Sequence, residues 1–287
     1  MRFDQLIGAL VVGIGLSVAW ADPPLPPAGY RWEPDPRFSD EFDGCSLDTT
    51  KWYDHFPTWR GRPPAKFLPS SVSVSDGCLV LRASRLPAPD GPFTIAGGAV
   101  VSRSSEALYG YYEARMKASR ISMSSTFWLN NSGHRVGSER HSQELDIVET
   151  VGGPQPEPEW AREWNWFMHS NTHYNVRHRD GRREHVSKGG KARLDTPAGE
   201  AFHTYGAWWV DANTIHFYLD GKYVFTVHPS TKFSPTPFDQ PMHVNMVMET
   251  YDWQPAPSPE DLADPARNAT YYDWVRAWRL VKVAPEN

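Results

Sequence analysis

Short runs that alternate apolar and polar residues, broken every few positions by Gly, Pro or Asp, follow one another along almost the whole chain. They include Ser71-Val72-Ser73-Val74, Leu79-Val80-Leu81-Arg82, residues 98–102, 109–116, 202–210, 214–219, 222–227, 242–249 and 272–283. Period-two alternation is the mark of strands with one face buried. Asp220-Gly221, between two such runs, is the pair favoured by a tight hairpin turn. Helical periodicity is confined to Ser258-Pro259-Glu260-Asp261-Leu262-Ala263, where Ser can cap, Pro suits the first turn and Asp264-Pro265 stops the helix. No repeat or shift in composition divides the 287 residues. The expectation is therefore an all-β jelly-roll sandwich of two antiparallel sheets, with residues 38–287 as one domain. Four longer connections, at 55–70, 130–142, 152–166 and 228–240, are rich in Trp, Arg, Pro and Gly, with Trp59, Trp160, Trp164 and Trp166 among them. Loops of that kind read as the walls of a concave cleft.

The N-terminus carries an address. Arg2, the apolar run from Leu6 to Ala19 and the small-x-small Ala19-Trp20-Ala21 read as a signal peptide over residues 1–21. The run is shorter than the ~20 residues of a membrane span. A Pro-rich lead-in follows at 22–37, so the expected mature protein is secreted, extracellular or periplasmic, with no membrane attachment. In that compartment disulfides persist, and Cys45 and Cys78, each after a turn signal, are expected to pair, with two free thiols as the alternative. A net charge of −5 without any basic run excludes nucleic acid as a partner, and a monomer is expected.

Chemistry concentrates in Gln143-Glu144-Leu145-Asp146-Ile147-Val148-Glu149-Thr150. In a regular strand Glu144 and Asp146 share a face and Glu149 points the other way. One β-bulge between Asp146 and Glu149 would bring all three carboxylates to one face, leaving Leu145 and one of Ile147 or Val148 for the core. The outer backbones would then stand ~13 Å apart, and long Glu side chains could lean together to a glycosidase-like separation. An acidic strand exposed at a sheet edge is the competing reading.

The neighbouring residues favour catalysis. Met123-Ser124-Ser125-Thr126-Phe127-Trp128-Leu129 precedes this strand and Gly152-Gly153 follows it. Together with Phe38-Ser39-Asp40-Glu41-Phe42, Trp59-Arg60-Gly61-Arg62-Pro63-Pro64, Phe202-His203-Thr204-Tyr205, Asn245-Met246-Val247-Met248-Glu249 and Tyr271-Tyr272-Asp273-Trp274-Val275-Arg276, the chain resembles glycoside hydrolase family 16, in its β-agarase and porphyranase branch. The resemblance implies a secreted, endo-acting, retaining hydrolase of a β-linked red-algal galactan, agarose or porphyran. Glu144 would be the nucleophile, Glu149 the acid/base, and Asp146 would tune both. Close carboxylates do not all ionise easily, so their titrations should interact.

Sugar rings present a C–H face to aromatic platforms and hydroxyls to polar groups. Trp128 and Trp59 are the expected platforms, and Arg60, Arg135, His173 and Glu249 the expected polar contacts. Arg60, Arg62, Arg135 and Arg140 together could hold sulfate esters. No cofactor is expected for catalysis. The resemblance implies a structural Ca²⁺ held by Glu41, the Gly77 backbone and Asp273. Zinc spacing, a phosphate loop and a serine-hydrolase elbow are all missing from the sequence. The alternatives are a laminarinase, carrageenase or transglycosylase of the same family, or a lectin without turnover.

Overall fold

The computed structural model describes residues 23–283, so the proposed signal peptide lies outside the described residues. Among these residues eighteen strands and one α-helix form. The first strands are β1 (Tyr30–Pro34), β2 (Trp52–Tyr53), β3 (Ala65–Phe67), β4 (Val72–Ser75), β5 (Cys78–Arg82) and β6 (Ser84–Asp90). Next come β7 (Phe93–Ser102), β8 (Gly110–Lys117), β9 (Ser124–Asn130), β10 (His134–Val136), β11 (Glu139–Val151) and β12 (Phe167–Arg177). The last are β13 (Arg183–Arg193), β14 (His203–Asp211), β15 (Thr214–Leu219), β16 (Lys222–Val227), β17 (His243–Met248) and β18 (Ala269–Lys282). Helix α1 (Pro259–Ala263) is capped by Ser258, whose side chain accepts from the Asp261 N–H.

Two sheets result. The eight-stranded sheet runs β16-β15-β14-β8-β18-β5-β4, with β1 also on β18. The ten-stranded sheet runs β13-β12-β11-β9-β17-β7-β2, with β10 on β11 and β3 and β6 on β7. Pairing is antiparallel except for the short β3–β7 contact, which is parallel. The expected jelly-roll sandwich is what forms. Between the sheets lies one apolar core that includes Leu79, Met116, Phe127, Leu145, Tyr205, Phe217, Met246 and Tyr272. Alternation is the cause: each strand gives every second side chain to this layer and the others to an outer face.

Several segments depart from the sequence expectations. Part of the Pro-rich lead-in is strand β1, which pairs with β18 from Tyr30↔Lys282 to Pro34↔Trp278. The 130–142 connection is largely a hairpin, β10 against β11. Strands β12 and β13 carry little apolar alternation in the sequence: the inward side of β12 includes Ser170 and Thr172, and β13 is an edge strand with exposed or half-buried side chains throughout. The Cys45–Cys78 disulfide is not formed, and both thiols are free. Cys45 sits in the exposed loop before β2, whereas Cys78 opens β5 opposite Ser75. The Cys78 thiol, pushed up by burial and by Asp273, belongs to the surroundings of β8 and β18, and a bridge requires Cα atoms within ~7 Å.

Candidate active site

The acidic strand is β11, a central strand of the ten-stranded sheet rather than an exposed edge. Against β12 the pairing moves from Asp146↔Asn171 to Glu149↔His169, and against β9 from Asp146↔Trp128 to Val148↔Phe127. Ile147 is thus the extra residue of a bulge, in the interval where the carboxylate spacing demands one. Leu145, Ile147 and Val148 are all fully buried in the core, so both central bulge residues pack inward instead of one. Glu144, Asp146 and Glu149 consequently share the outer face and line one cleft of about 340 Å³.

Its remaining walls come from other strands and loops. Thr126, Trp128 and Asn130 contribute from β9, Phe56, Trp59 and Arg62 from the first long loop, and Glu249 and Tyr251 from the segment after β17. Gly61 is required in that loop: its φ is +113° and a Cβ there would lie 2.6 Å from the Ala65 carbonyl oxygen. Gly152, just beyond β11, has the same role, since a Cβ would fall 2.0 Å from the Ser119 carbonyl oxygen.

Charges in the cleft are arranged face to face. Asp146, 4% exposed, has its pKa pushed well above the carboxylate range by burial first and then by Glu149 and Glu249. Glu144 is pushed up to about 8 by burial and by Asp146, with His173 opposing. Cationic partners are few. His173 Nε2 stands 3.1 Å from Asp146 Oδ2, too poorly aligned for a hydrogen bond, and its Nδ1 meets His185 Nε2 at 2.8 Å. Burial and the nearby His173 lower His185. Arg62 Nε donates to Glu249 Oε2 at 3.1 Å, while burial lifts Glu249 to about 7 against the pull of that arginine.

Glu149 has different neighbours. The Tyr251 hydroxyl donates to Glu149 Oε1 at 2.6 Å, and the phenol is held protonated by burial and by the carboxylates around it. Directly opposite on β12 is His169, stacked on Trp164 at 4.1 Å and lowered to about 4 by burial and Lys191, so it stays neutral.

Of the residues expected to bind substrate, Trp59, Trp128 and Glu249 line the cleft and His173 flanks Asp146. Trp128 is only 7% exposed and stacks on Phe56, so it is cleft floor rather than an open platform. A more open aromatic group adjoins the cleft through Tyr251, on which Trp253 stacks, and Trp160, 60% exposed, stands 4.7 Å from Trp253. Two arginines are not brought to the cleft: Arg60 pairs with Asp90 and lies over Phe93, and Arg135 sits on the β10 hairpin opposite Arg140. The arginine that does reach it, Arg62, is two residues beyond Arg60. Phe56 and Asn130 carry no signal in the sequence that would have singled them out.

The oxygen set expected for Ca²⁺ fits a cation poorly. Glu41 accepts from Arg276 at 2.9 and 2.8 Å, and Asp273 accepts from Arg115 at 2.6 Å, so each charge already has a partner. Among the described residues the one group that gathers three ligand-type side chains is Glu144, Asp146 and His173, within 4.8 Å of one another. Its place on the bulged strand of the cleft marks it as the reactive cluster itself.

Comparison with known proteins agrees with this geometry. Residues 32–280 match the family model "Beta-porphyranase A-D, GH16 domain". Beta-porphyranase E of Zobellia galactanivorans is 54% identical over 259 residues, covering 90% of this chain and 91% of the relative. Beta-porphyranase B of Phocaeicola plebeius is 45% identical, covering 91% and 88%. The crystal structure of a beta-porphyranase from the human gut bacterium Bacteroides plebeius superposes with a TM-score of 0.84 at 45% identity, covering 91% of this chain and 96% of that one.

Proposed function

The chain belongs to the porphyranase branch of glycoside hydrolase family 16 and is an endo-acting glycosidase, and from that premise we propose that it cleaves a porphyran-type red-algal galactan by double displacement, after export from the cell. The single observation that carries this reading is the bulge at Ile147, which puts Glu144, Asp146 and Glu149 on one face of the cleft.

Glu144 attacks the anomeric carbon and forms the glycosyl-enzyme. Glu149 first protonates the leaving oxygen and then takes a proton from the incoming water. Burial and the facing acids raise both Asp146 and Glu144, and the mechanism assigns the proton the pair retains to Asp146, the more deeply buried of the two. Once Asp146 is neutral, burial still raises Glu144, but the repulsion from Asp146 is gone and His173 favours the Glu144 charge. The microstate with Glu144 ionised is the one that attacks, as a nucleophile must. The Tyr251 hydroxyl, which donates to Glu149 Oε1, holds that carboxyl in place beside His169, and Trp164 packs on both rings. Rings pack on the aromatic wall, and Arg62 with Glu249 supplies donors and acceptors to hydroxyls.

Incubation with porphyran, agarose, carrageenan and laminarin, followed by NMR of the first-formed anomer, tests the proposal. Porphyran should be cut with initial release of the β-anomer. An initial α-anomer would overturn the double displacement, and exclusive cleavage of laminarin or carrageenan would move the enzyme to another substrate group of the family.

A further inference from the structure

Four arginines stand in one row across four adjacent strands. Arg135 on β10 is opposite Arg140 on β11, Arg140 is opposite Arg177 on β12, and Arg177 is opposite Arg183 on β13. Directly opposed residues share a face, and Arg140 is four residues from Glu144 with no register break between them, so the row lies on the cleft side of the sheet. Its distance from Glu144 is ~13 Å along the strand.

Like charges placed directly opposite each other across strands destabilise a sheet. Acidic partners do not compensate here. Arg140 spends its guanidinium on the Ser132 backbone oxygen, and among the described residues no carboxylate pairs with Arg135, Arg177 or Arg183. Glu184, the acid nearest in sequence, is already held by Arg182 at 2.6 Å and His178 at 2.8 Å. Over the row is a second hollow of about 400 Å³, separate from the catalytic cleft, lined by Arg140, Arg177 and Arg183 with Ser142, Asn175, His185 and Glu184, the last with its charge already engaged by Arg182 and His178. The neutral residues form the next row toward Glu144, and His185 touches His173. The hollow is therefore continuous with the reactive centre along the sheet.

We propose that Arg140, Arg177 and Arg183 form an accessory site for a sulfate ester of the polysaccharide, outside the sugars at the scissile bond. Neighbouring strands are ~4.8 Å apart, so two guanidinium groups fall on either side of one sulfate and offer paired N–H donors to its oxygens. Ser142 and Asn175 bond the hydroxyls of the ring that carries it. Binding there relieves the repulsion within the row and ties a sulfated stretch of polymer to the enzyme. The identity of the polymer rests on the galactan reading above; the anion site does not.

The test compares the protein with Arg177→Gln/Arg183→Gln and with Arg177→Lys/Arg183→Lys. Both positions face outward on β12 and the edge strand β13, so the variants should fold, as thermal melting would verify. Equilibrium binding is read by affinity electrophoresis in gels holding porphyran or the same polymer after chemical desulfation, and kinetics are measured on both. The Gln pair should bind porphyran about tenfold more weakly, with KM raised in proportion, kcat within about twofold and a flatter salt dependence. On the desulfated polymer it should match the wild type, and the Lys pair should recover part of the loss. Equal losses on both polymers, or none on either, would overturn the site. If no galactan were cleaved but Arg-dependent binding to the sulfated polymer persisted, the proposed reaction would fall while this inference stood.

Discussion

Each of the two sheets carries partly buried carboxylates, and the two treat them in opposite ways. On the eight-stranded sheet charges meet their counterparts: Glu41 is gripped by Arg276, Asp273 by Arg115 and Asp35 by Arg37. On the ten-stranded sheet Glu144, Asp146, Glu149 and Glu249 surround one cleft, and among the described residues Arg62 and His173 are what stands against them. Glu113 shows which part of this contrast matters. It lies on the eight-stranded sheet, opposite Arg276 in register, and burial lifts it to about 8 even though the Tyr111 hydroxyl donates to it. A raised carboxyl is therefore within reach of a purely structural position. What the structural face lacks is acids turned toward one another beside open space.

The contrast can be broken at several points, the strongest first. Glu144→Gln should reduce kcat by about 10³-fold or more while oligosaccharide binding survives in calorimetry, whereas Glu113→Gln should leave kcat near the wild-type value. Similar losses at both positions would erase the distinction. Asp146→Asn mimics the protonated acid but carries no exchangeable carboxyl proton. A loss of about 10²-fold in kcat is expected, and a variant with unchanged kcat would show that no proton on Asp146 is needed. Next comes Arg62→Met, which frees Glu249 to rise further above 7 and removes a donor from the cleft. KM should increase about tenfold with a smaller effect on kcat.

Stability supplies a smaller effect with a definite sign. Glu144 and Asp146 titrate together and both are raised in the folded protein, Glu144 from 4.5 to about 8, so the pair binds its protons more tightly there than in the unfolded chain. The stability this gives is complete below the unfolded value and is lost as pH climbs through the folded one. Glu144→Gln, which has no such proton to lose, should therefore gain on the wild type between pH 5 and pH 8, by about 1–2 kcal/mol once the water in the cleft is allowed for. Thermal melts at the two pH values check it, and an identical difference at both would contradict the shift. Smallest is Glu41→Gln on the opposite face: a destabilisation of about 1 kcal/mol with kcat/KM unchanged, the reverse of the cleft pattern.

Glu144, Asp146 and Glu149 were legible because alternation is local. Their spacing demanded a bulge, and the expectation that one of Ile147 and Val148 would face the core fell short by one, since a bulge can turn both side chains inward. Trp59 and Glu249 were found through their neighbours in the chain. Arg60 was preferred to Arg62 because nothing along a Pro-Gly loop tells which side chain turns in; Asp90 takes one and Glu249 the other. The disulfide failed for a similar reason: two turn signals say nothing about whether their residues end up adjacent.

By itself, then, the sequence determined the all-β sandwich, the common face of Glu144, Asp146 and Glu149 and the identity of the acidic strand, because period-two patterning acts over a few residues and burial enforces it. Tertiary structure alone decided which acids gain partners, which arginine reaches the cleft, that His185 meets His173, and that Arg135, Arg140, Arg177 and Arg183 fall into one row. Those outcomes depend on the register between strands, which is set by packing across the whole sheet and leaves no local trace.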